Sequence, residues 1–218
     1  ADSCTWPSMM LWKTFFSDED AHWDREMGSV TQMLTESGKG KAPAILFDEV
    51  PGYPKGYRTL YGQFSTIKRV ALTLGLPLEY EHKADVVKAY HHVMTNMKML
   101  KPKMVKTGPI FDNVLEGDQV DVLKLPVPIH HQADTHRYIG TADMCITKDP
   151  DADWYNFGAY RCEVYDGKTI GCQITEGKHG RIHRDKYFER GQSCKFAIVC
   201  GQDPLLYLLS ASPLPSGV

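Results

Sequence analysis

Two short stretches of the 218-residue sequence hold the residue types best suited to chemistry. The first is Asn156-Phe157-Gly158-Ala159-Tyr160-Arg161. An asparagine at the mouth of a strand offers a neutral carbonyl oxygen, which suits a hard cation or a cofactor's hydrogen bonds. Gly158 lets a backbone or ligand approach closely. Arg161, five residues beyond Asn156, carries a planar fork matched to a carboxylate or phosphate. Taken alone, these residues are better described as a turn asparagine, a structural glycine and a surface arginine. The second stretch is Gly177-Lys178-His179-Gly180-Arg181-Ile182-His183. Glycines around Lys178 and His179, after a strand and before a helix, suit an anion or a metal-bridged phosphate at a helix N-terminus. His179 and His183 stand four apart, the spacing of two ligands on one helix face. No Glu follows the first histidine, so this is not the zinc-protease pattern, and His179 is expected to precede the helix.

Other candidates are weaker. Asp149, Asp151 and Asp153 alternate like the start of a calcium loop, but Trp154 and Tyr160 stand where its glycine and glutamate belong. A solvated, turn-forming acidic loop is the expectation. His91-His92 and His130-His131 are adjacent pairs whose side chains diverge in regular structure; the first pair reads as half-buried on a helix. The nucleophile-elbow, P-loop and dinucleotide-fold glycine patterns are all missing, which sets aside the commonest hydrolase, nucleotidase and Rossmann readings. The six cysteines form no CxxC pair and no zinc-finger spacing. Five lie in or beside β-like segments and read as small buried hydrophobes, with Cys4 the one suspected of exposure.

The elements that must position these residues follow from periodicity. A helix is expected over residues 27–36, then a loop at Gly38-Lys39-Gly40-Lys41 and a strand over residues 44–47. Ser65 is the expected N-cap of a helix with apolar Ile67, Val70, Ala71 and Leu74, closed by Gly75 and Pro77. A longer helix over residues 84–100 puts Val86, Tyr90, Val93, Met94 and Met97 on one face. Pro102 marks a boundary, after which the texture turns to strands: residues 140–147, then 157–164 and 169–175 flanking the Asp166-Gly167 hairpin turn. A helix over residues 181–190, a buried strand over 194–200 and a helix over 205–211 complete the chain.

Composition is that of an ordinary globular chain, 42% hydrophobic and 24% charged. A net charge of −2 gives no sign of a nucleic-acid or anionic-membrane partner. No apolar run is long enough to span a bilayer, and no basic head precedes an apolar signal segment. A soluble, cytoplasmic protein is expected.

The motifs then cease to be independent. Ile146-Thr147-Lys148-Asp149-Pro150-Asp151, Asn156-Phe157-Gly158-Ala159-Tyr160-Arg161, Lys178-His179-Gly180, Gly201-Gln202-Asp203-Pro204 and Pro213-Leu214-Pro215-Ser216-Gly217-Val218 resemble, in order and spacing, the UbiD family of decarboxylases. Upstream, Pro43-Ala44-Ile45-Leu46-Phe47-Asp48, Gly52-Tyr53-Pro54 and Ala71-Leu72-Thr73-Leu74-Gly75-Leu76-Pro77 look like that family's N-terminal domain, and the resemblance covers the chain from about Trp23. It implies an α+β chain: an N-terminal α/β domain, residues 1–113, followed by part of a split β-barrel flavin-binding domain, residues 114–218. It implies reversible, non-oxidative decarboxylation of an aromatic or α,β-unsaturated carboxylic acid through a covalent adduct with prenylated FMN. The helpers are Mn²⁺ or another divalent cation and, in many members, K⁺.

By the same resemblance Asn156 and His179 are metal ligands, and Phe157, Gly158, Ala159 and Lys178 line the flavin. Ser210, Ala211 and Ser212 lie near its phosphate and K⁺, and Arg161 is the catalytic residue that orients the substrate carboxylate. The family's third metal ligand and its two network glutamates fall beyond Val218. The resemblance therefore implies that activity needs a C-terminal portion of the same enzyme or a second chain, in a homo-oligomer when complete. The alternative is a subunit or fragment that holds a flavin or phosphate without turnover. Trp154 and Tyr155 suit an aromatic acid or a plain core role equally.

Overall fold

The computed structural model describes residues 14–16, 21–38, 42–98, 100 and 103–212. The loop expected at residues 38–41, the Pro102 boundary, Cys4 and the Pro213–Val218 motif lie wholly or largely outside them.

The first half is built on a small mixed sheet. Strand β2, Ala44–Phe47, runs parallel to β1, Thr14–Phe16, and antiparallel to β3, Thr59–Tyr61. Helix α1, Glu26–Ser37, covers it with Met27, which packs with Ile45, Phe47, Val50 and Ala21 in the buried core. Burial of each large apolar side chain there contributes about 1.5–3 kcal/mol. Gly28 sets how closely α1 docks: a Cβ on it would lie 2.2 Å from the His130 carbonyl oxygen. Arg25 takes a left-handed conformation at φ 69° and donates its N–H to the Ile129 carbonyl at 2.9 Å. The chain near residue 130 is thus stitched to the first domain. Arg137 adds to that seam, its guanidinium lying 4.0 Å from the Trp23 ring centroid and donating to the Tyr53 hydroxyl.

Helix α2, Ile67–Thr73, ends with the expected glycine, Gly75 at φ 66°. Its N-cap is Thr66 rather than Ser65, the Thr66 hydroxyl accepting from the Arg69 N–H. Helix α3, Lys83–Asn96, stops four residues short of the expected end, and of its apolar stripe only Val86 is buried. Val93 is 42% exposed and Met97, now past the helix end, 49%. His91 and His92 are exposed, not half-buried, because they point away from the Val86 side.

The second half follows three short 3-10 turns between residues 109 and 124. Its strands form two three-stranded antiparallel sheets. In one, β7, Arg161–Val164, lies between β4, Arg137–Gly140, and β8, Ile170–Gln173. In the other, β5, Met144–Lys148, lies between β6, Tyr155–Gly158, and β9, Phe196–Val199. Two segments that read as single strands are therefore each divided between the sheets. Residues 140–147 break at the Gly140–Asp143 turn, and residues 157–164 break at Ala159-Tyr160. Alternation reports which side chains face inward; it does not report that a chain has crossed from one sheet to another. The Asp166-Gly167 hairpin is as expected. Strand β9 is half-exposed rather than buried, and Cys200 beside it is exposed. Helices α4, His179–Phe188, and α5, Pro204–Ser210, pack on the β5 sheet. The chain is thus α+β, an N-terminal α/β domain followed by part of a split β-barrel. Among the described residues no helix is long and apolar enough to cross a membrane.

Candidate functional site

One cleft of about 570 Å³ collects residues 154–161, Gln173, Thr175, residues 177–179 and residues 210–212. That volume lies in the usual range for small-molecule sites. Every site residue singled out from the sequence lines it: Asn156, Phe157, Gly158, Ala159, Arg161, Lys178, His179, Ser210, Ala211 and Ser212. A second cavity of about 370 Å³, walled by Trp23, Tyr53, Tyr57, Leu123 and Lys124, gathers no comparable set of convergent polar groups.

Sheet register explains the convergence. Thr147 on β5 pairs with Asn156 on β6, and Cys145 pairs with Gly158. The chain leaves β6 at Gly158, turns at Ala159-Tyr160 and re-enters the other sheet as β7, so Asn156 and Arg161 reach one cleft from different sheets. The Ala159 N–H donates to the Ser210 carbonyl at 3.1 Å, which holds the end of α5 against this turn.

Asn156 is buried, and its amide nitrogen donates to Thr147 Oγ1 at 3.4 Å and to the Tyr160 hydroxyl at 3.2 Å. With both amide protons engaged, the carbonyl oxygen is what Asn156 can offer a cation. His179 begins α4, with Lys178 as N-cap, so both candidate ligands are held by regular structure rather than by the loop expected before the helix. Trp154 stands edge-on to His179 and His183, with ring centroids 5.0 and 4.8 Å away. His183 is fully buried, its Nδ1 3.0 Å from Thr147 Oγ1, and burial holds its pKa below the ordinary histidine value. His183 therefore supports the site from beneath and does not share the cleft with His179.

Tyr160 is the residue sequence reasoning passed over. Its hydroxyl accepts from Asn156 and also from the Gly180 N–H at 3.2 Å. Its ring is held between Gly158 and Gly180, where added Cβ atoms would come within 2.4 and 2.8 Å of ring atoms. The available signal was a tyrosine two residues from one motif glycine, with a second glycine closing the Lys178-His179-Gly180 motif. Arg161, at the start of β7 and exposed, lies with its guanidinium carbon 5.9 Å from the Tyr138 ring centroid. Among the described residues no carboxylate pairs with it. Ser210 and Ser212 donate their hydroxyl protons to the Tyr207 and Leu208 carbonyls, so they offer the cleft oxygen lone pairs.

The acidic loop departs from expectation. Asp149 is buried, accepts from Lys186 Nζ at 2.7 and 2.9 Å, and closes an Asx turn with the Asp151 N–H. The turn is as read, and Asp151 and Asp153 are exposed as expected; Asp149 alone is not, because α4 brings Lys186 across it.

Residues 103–218 match the domain described as 3-octaprenyl-4-hydroxybenzoate carboxy-lyase Rift-related, and residues 17–86 match the N-terminal domain of the same carboxy-lyase. The chain is 30% identical over 202 residues to the pyrrole-2-carboxylic acid decarboxylase of Pseudomonas aeruginosa, covering 88% of this chain and 39% of that protein. It is also 30% identical over 179 residues to ferulic acid decarboxylase 1 of Candida dubliniensis, covering 80% and 34%. It therefore spans well under half the length of these relatives. Its fold matches the vanillic acid decarboxylase of Sedimentibacter hydroxybenzoicus in closed form, with TM-score 0.84, 22% identity, and 93% of this chain against 42% of that one. It also matches the UbiD-class enzyme HmfF of Pelotomaculum thermopropionicum, in complex with FMN, with TM-score 0.79, 22% identity, and 94% against 43%. The two domain matches together take in both halves of the fold and all of the cleft, and the chain belongs to the UbiD family of carboxy-lyases.

Proposed function

We propose that this chain is the N-terminal portion of a non-oxidative, reversible decarboxylase of an aromatic or α,β-unsaturated carboxylic acid, with prenylated FMN in the cleft described above. The observation that carries the reading is that Asn156, Arg161, Lys178 and His179, drawn from two sheets and a helix, line one ligand-sized cleft. Relatives of the same family act on pyrrole-2-carboxylic and ferulic acids, and an evolved dimeric form of HmfF is described in complex with prFMN.

The residues fit such a cofactor. The Asn156 carbonyl oxygen and the His179 imidazole form a donor pair for a divalent cation such as Mn²⁺, which would tie the flavin phosphate to the protein. Lys178 would offer that phosphate a positive charge, and the Ser210 and Ser212 oxygens would suit K⁺. Gly158 leaves room for the Tyr160 ring, whose hydroxyl holds Asn156 in place. When bound, the modified flavin supplies the electron sink for the pair freed as the carbon–carboxylate bond breaks. Arg161 holds the substrate carboxylate through its fork and aims the breaking bond at that sink.

None of the cleft-lining residues carries a carboxylate. The acid that returns a proton to the substrate carbon is therefore assigned to the remaining portion of the enzyme or to a second chain, within a cytoplasmic homo-oligomer. The domain boundary is placed between residues 113 and 114.

The test is to purify the chain from cells that make prenylated FMN, alone and with the C-terminal portion co-expressed. Native mass and absorbance would report bound flavin, and CO₂ release would be followed over a panel of acids. Flavin retention with CO₂ release in the combined sample supports the reading, as does at least about tenfold lower turnover in Arg161→Lys with flavin kept. Absence of flavin and of CO₂ release in every sample overturns it.

A further inference from the structure

Behind the cleft wall, with none of them in its lining, three thiols meet. Cys145 on β5 and Cys162 on β7 are completely buried, and Cys172 on β8 is half-buried. Their Sγ atoms all lie within 4.8 Å of one another. Cys145 to Cys162 and Cys162 to Cys172 are each 3.7 Å. A fourth group stands at its edge: Asp143 Oδ2 lies 3.2 Å from Cys145 Sγ.

Sulfur spacing and the state of Asp143 are independent observations, and both point to a cation. Tetrahedral zinc with bonds of about 2.3 Å to sulfur places its thiolates about 3.8 Å apart. The two measured edges match that figure. Asp143 is only 2% exposed, its Oδ1 has no hydrogen-bond partner, and no lysine or arginine pairs with it among the described residues. A buried carboxylate left in this state is costly unless it keeps a proton or meets a positive charge. The fold makes room for it on purpose: a Cβ on Gly140 would lie 2.3 Å from Asp143 Cγ, so glycine at that position lets the side chain turn inward.

We propose that Cys145, Cys162, Cys172 and Asp143 form a structural site for a thiophilic divalent cation of the zinc class. Soft thiolate donors favour such a metal over the hard cation suited to Asn156 and His179. Binding replaces the thiol protons, which pass to solvent as metal–sulfur bonds form, and the half-buried Cys172 is the side of approach. The metal would clip the β4-β7-β8 sheet to the β6-β5-β9 sheet. Cys145 pairs with Gly158 and Cys162 follows Arg161, so the clip would brace the seam at which the chain changes sheets.

The experiment uses the full 218-residue chain with Cys4, Cys194 and Cys200 replaced by serine, reduced, stripped with a chelator and titrated with Co²⁺ and then Zn²⁺. The expected result is one tightly held metal per chain and a near-ultraviolet thiolate-to-cobalt charge-transfer band that zinc abolishes. That band distinguishes this site from the cleft, whose lining holds no sulfur. Cys172→Ser, at the least buried ligand, and Asp143→Asn are each expected to weaken zinc binding at least tenfold. The proposal is overturned if the reduced chain binds no stoichiometric zinc or gives no thiolate band. It is equally overturned if the only product is a disulfide, seen as a two-proton mass loss without metal. The cobalt spectrum of the chain with all three ligand cysteines intact decides the matter even where a ligand variant fails to fold.

Discussion

The Tyr160 hydroxyl sits 3.2 Å from the Gly180 backbone nitrogen and 3.2 Å from Asn156 Nδ2. One phenol thereby orders the strand that carries the first candidate metal ligand and the helix turn that carries the second. Gly180 N–H belongs to the first turn of α4, whose donors have no partner within the helix.

Tyr160→Phe keeps the ring between Gly158 and Gly180 but leaves both donors without an acceptor. Each unsatisfied buried donor costs about 1–3 kcal/mol. A lower urea midpoint and weaker flavin retention are expected together. Gly180→Ala should do comparable damage by a different route, since its Cβ would sit 2.8 Å from the ring. Unchanged midpoints in both variants would show that Tyr160 is a bystander.

Removing either cleft ligand should separate metal binding from folding. Asn156→Ala and His179→Ala are each expected to lower Mn²⁺ and flavin content at least tenfold when measured on the purified chain. Far-ultraviolet circular dichroism is expected to hold for His179→Ala, whose side chain is only half-buried. Asn156→Ala should also lose some stability, because Thr147 and Tyr160 lose a donor. Full metal content in both variants would sink the ligand assignment.

The seam between the two halves is tested at Gly28. An added methyl would meet the His130 carbonyl oxygen at 2.2 Å, and backbone on both sides can yield only by separating α1 from the chain at residue 130. A loss of about 1–3 kcal/mol in unfolding free energy is expected for Gly28→Ala, in line with overpacked cores. Hydrogen exchange of the Arg25 amide, bonded to Ile129, should rise in the same variant. Wild-type protection there would mean the seam is held elsewhere.

Stability should fall with acid in two steps. Burial works against ionisation of Asp149, but Lys186, the Asp151 N–H and His183 outweigh it, and its carboxyl lies below the ordinary range. Arg190 and Lys186 lower Asp151 as well. Depressed carboxyls stabilise the fold fully above their unfolded value of about 4 and lose that contribution as pH falls through the lower folded value. Burial lowers the pKa of His183, so below about pH 6.5 the unfolded chain takes up a proton that the folded chain refuses, and stability starts to drop. Urea midpoints against pH should show an early decline near 6.5 and a later one below about 4. His183→Asn should shrink the first, to which buried His130 also contributes, and keep the second; an identical profile in both proteins contradicts the assignment.

The sequence by itself determined most of the local structure, and the residues singled out in it line one cleft. Helix α1, strand β2, the Gly75 stop and the Asp166-Gly167 hairpin follow from patterns a few residues long, where propensity, capping and turn chemistry act without help. The cleft residues, ordinary when taken alone, were singled out by the order and spacing of the motifs that resemble the family. Other features belong to the tertiary structure alone. The strand breaks at Gly140–Asp143 and Ala159-Tyr160 depend on which sheet each half pairs with, and pairing partners lie tens of residues away. Asp149 reads as a solvated loop acid until α4 carries Lys186 to it. Tyr160 gains its part in the site only when Gly158 and Gly180, twenty-two residues apart in sequence, close on either side of its ring. The same holds for the three thiols at residues 145, 162 and 172, whose spacing matches no metal motif. Burial and pairing are properties of distance in space, and a chain that changes sheets between two neighbouring residues sets those distances only when it folds.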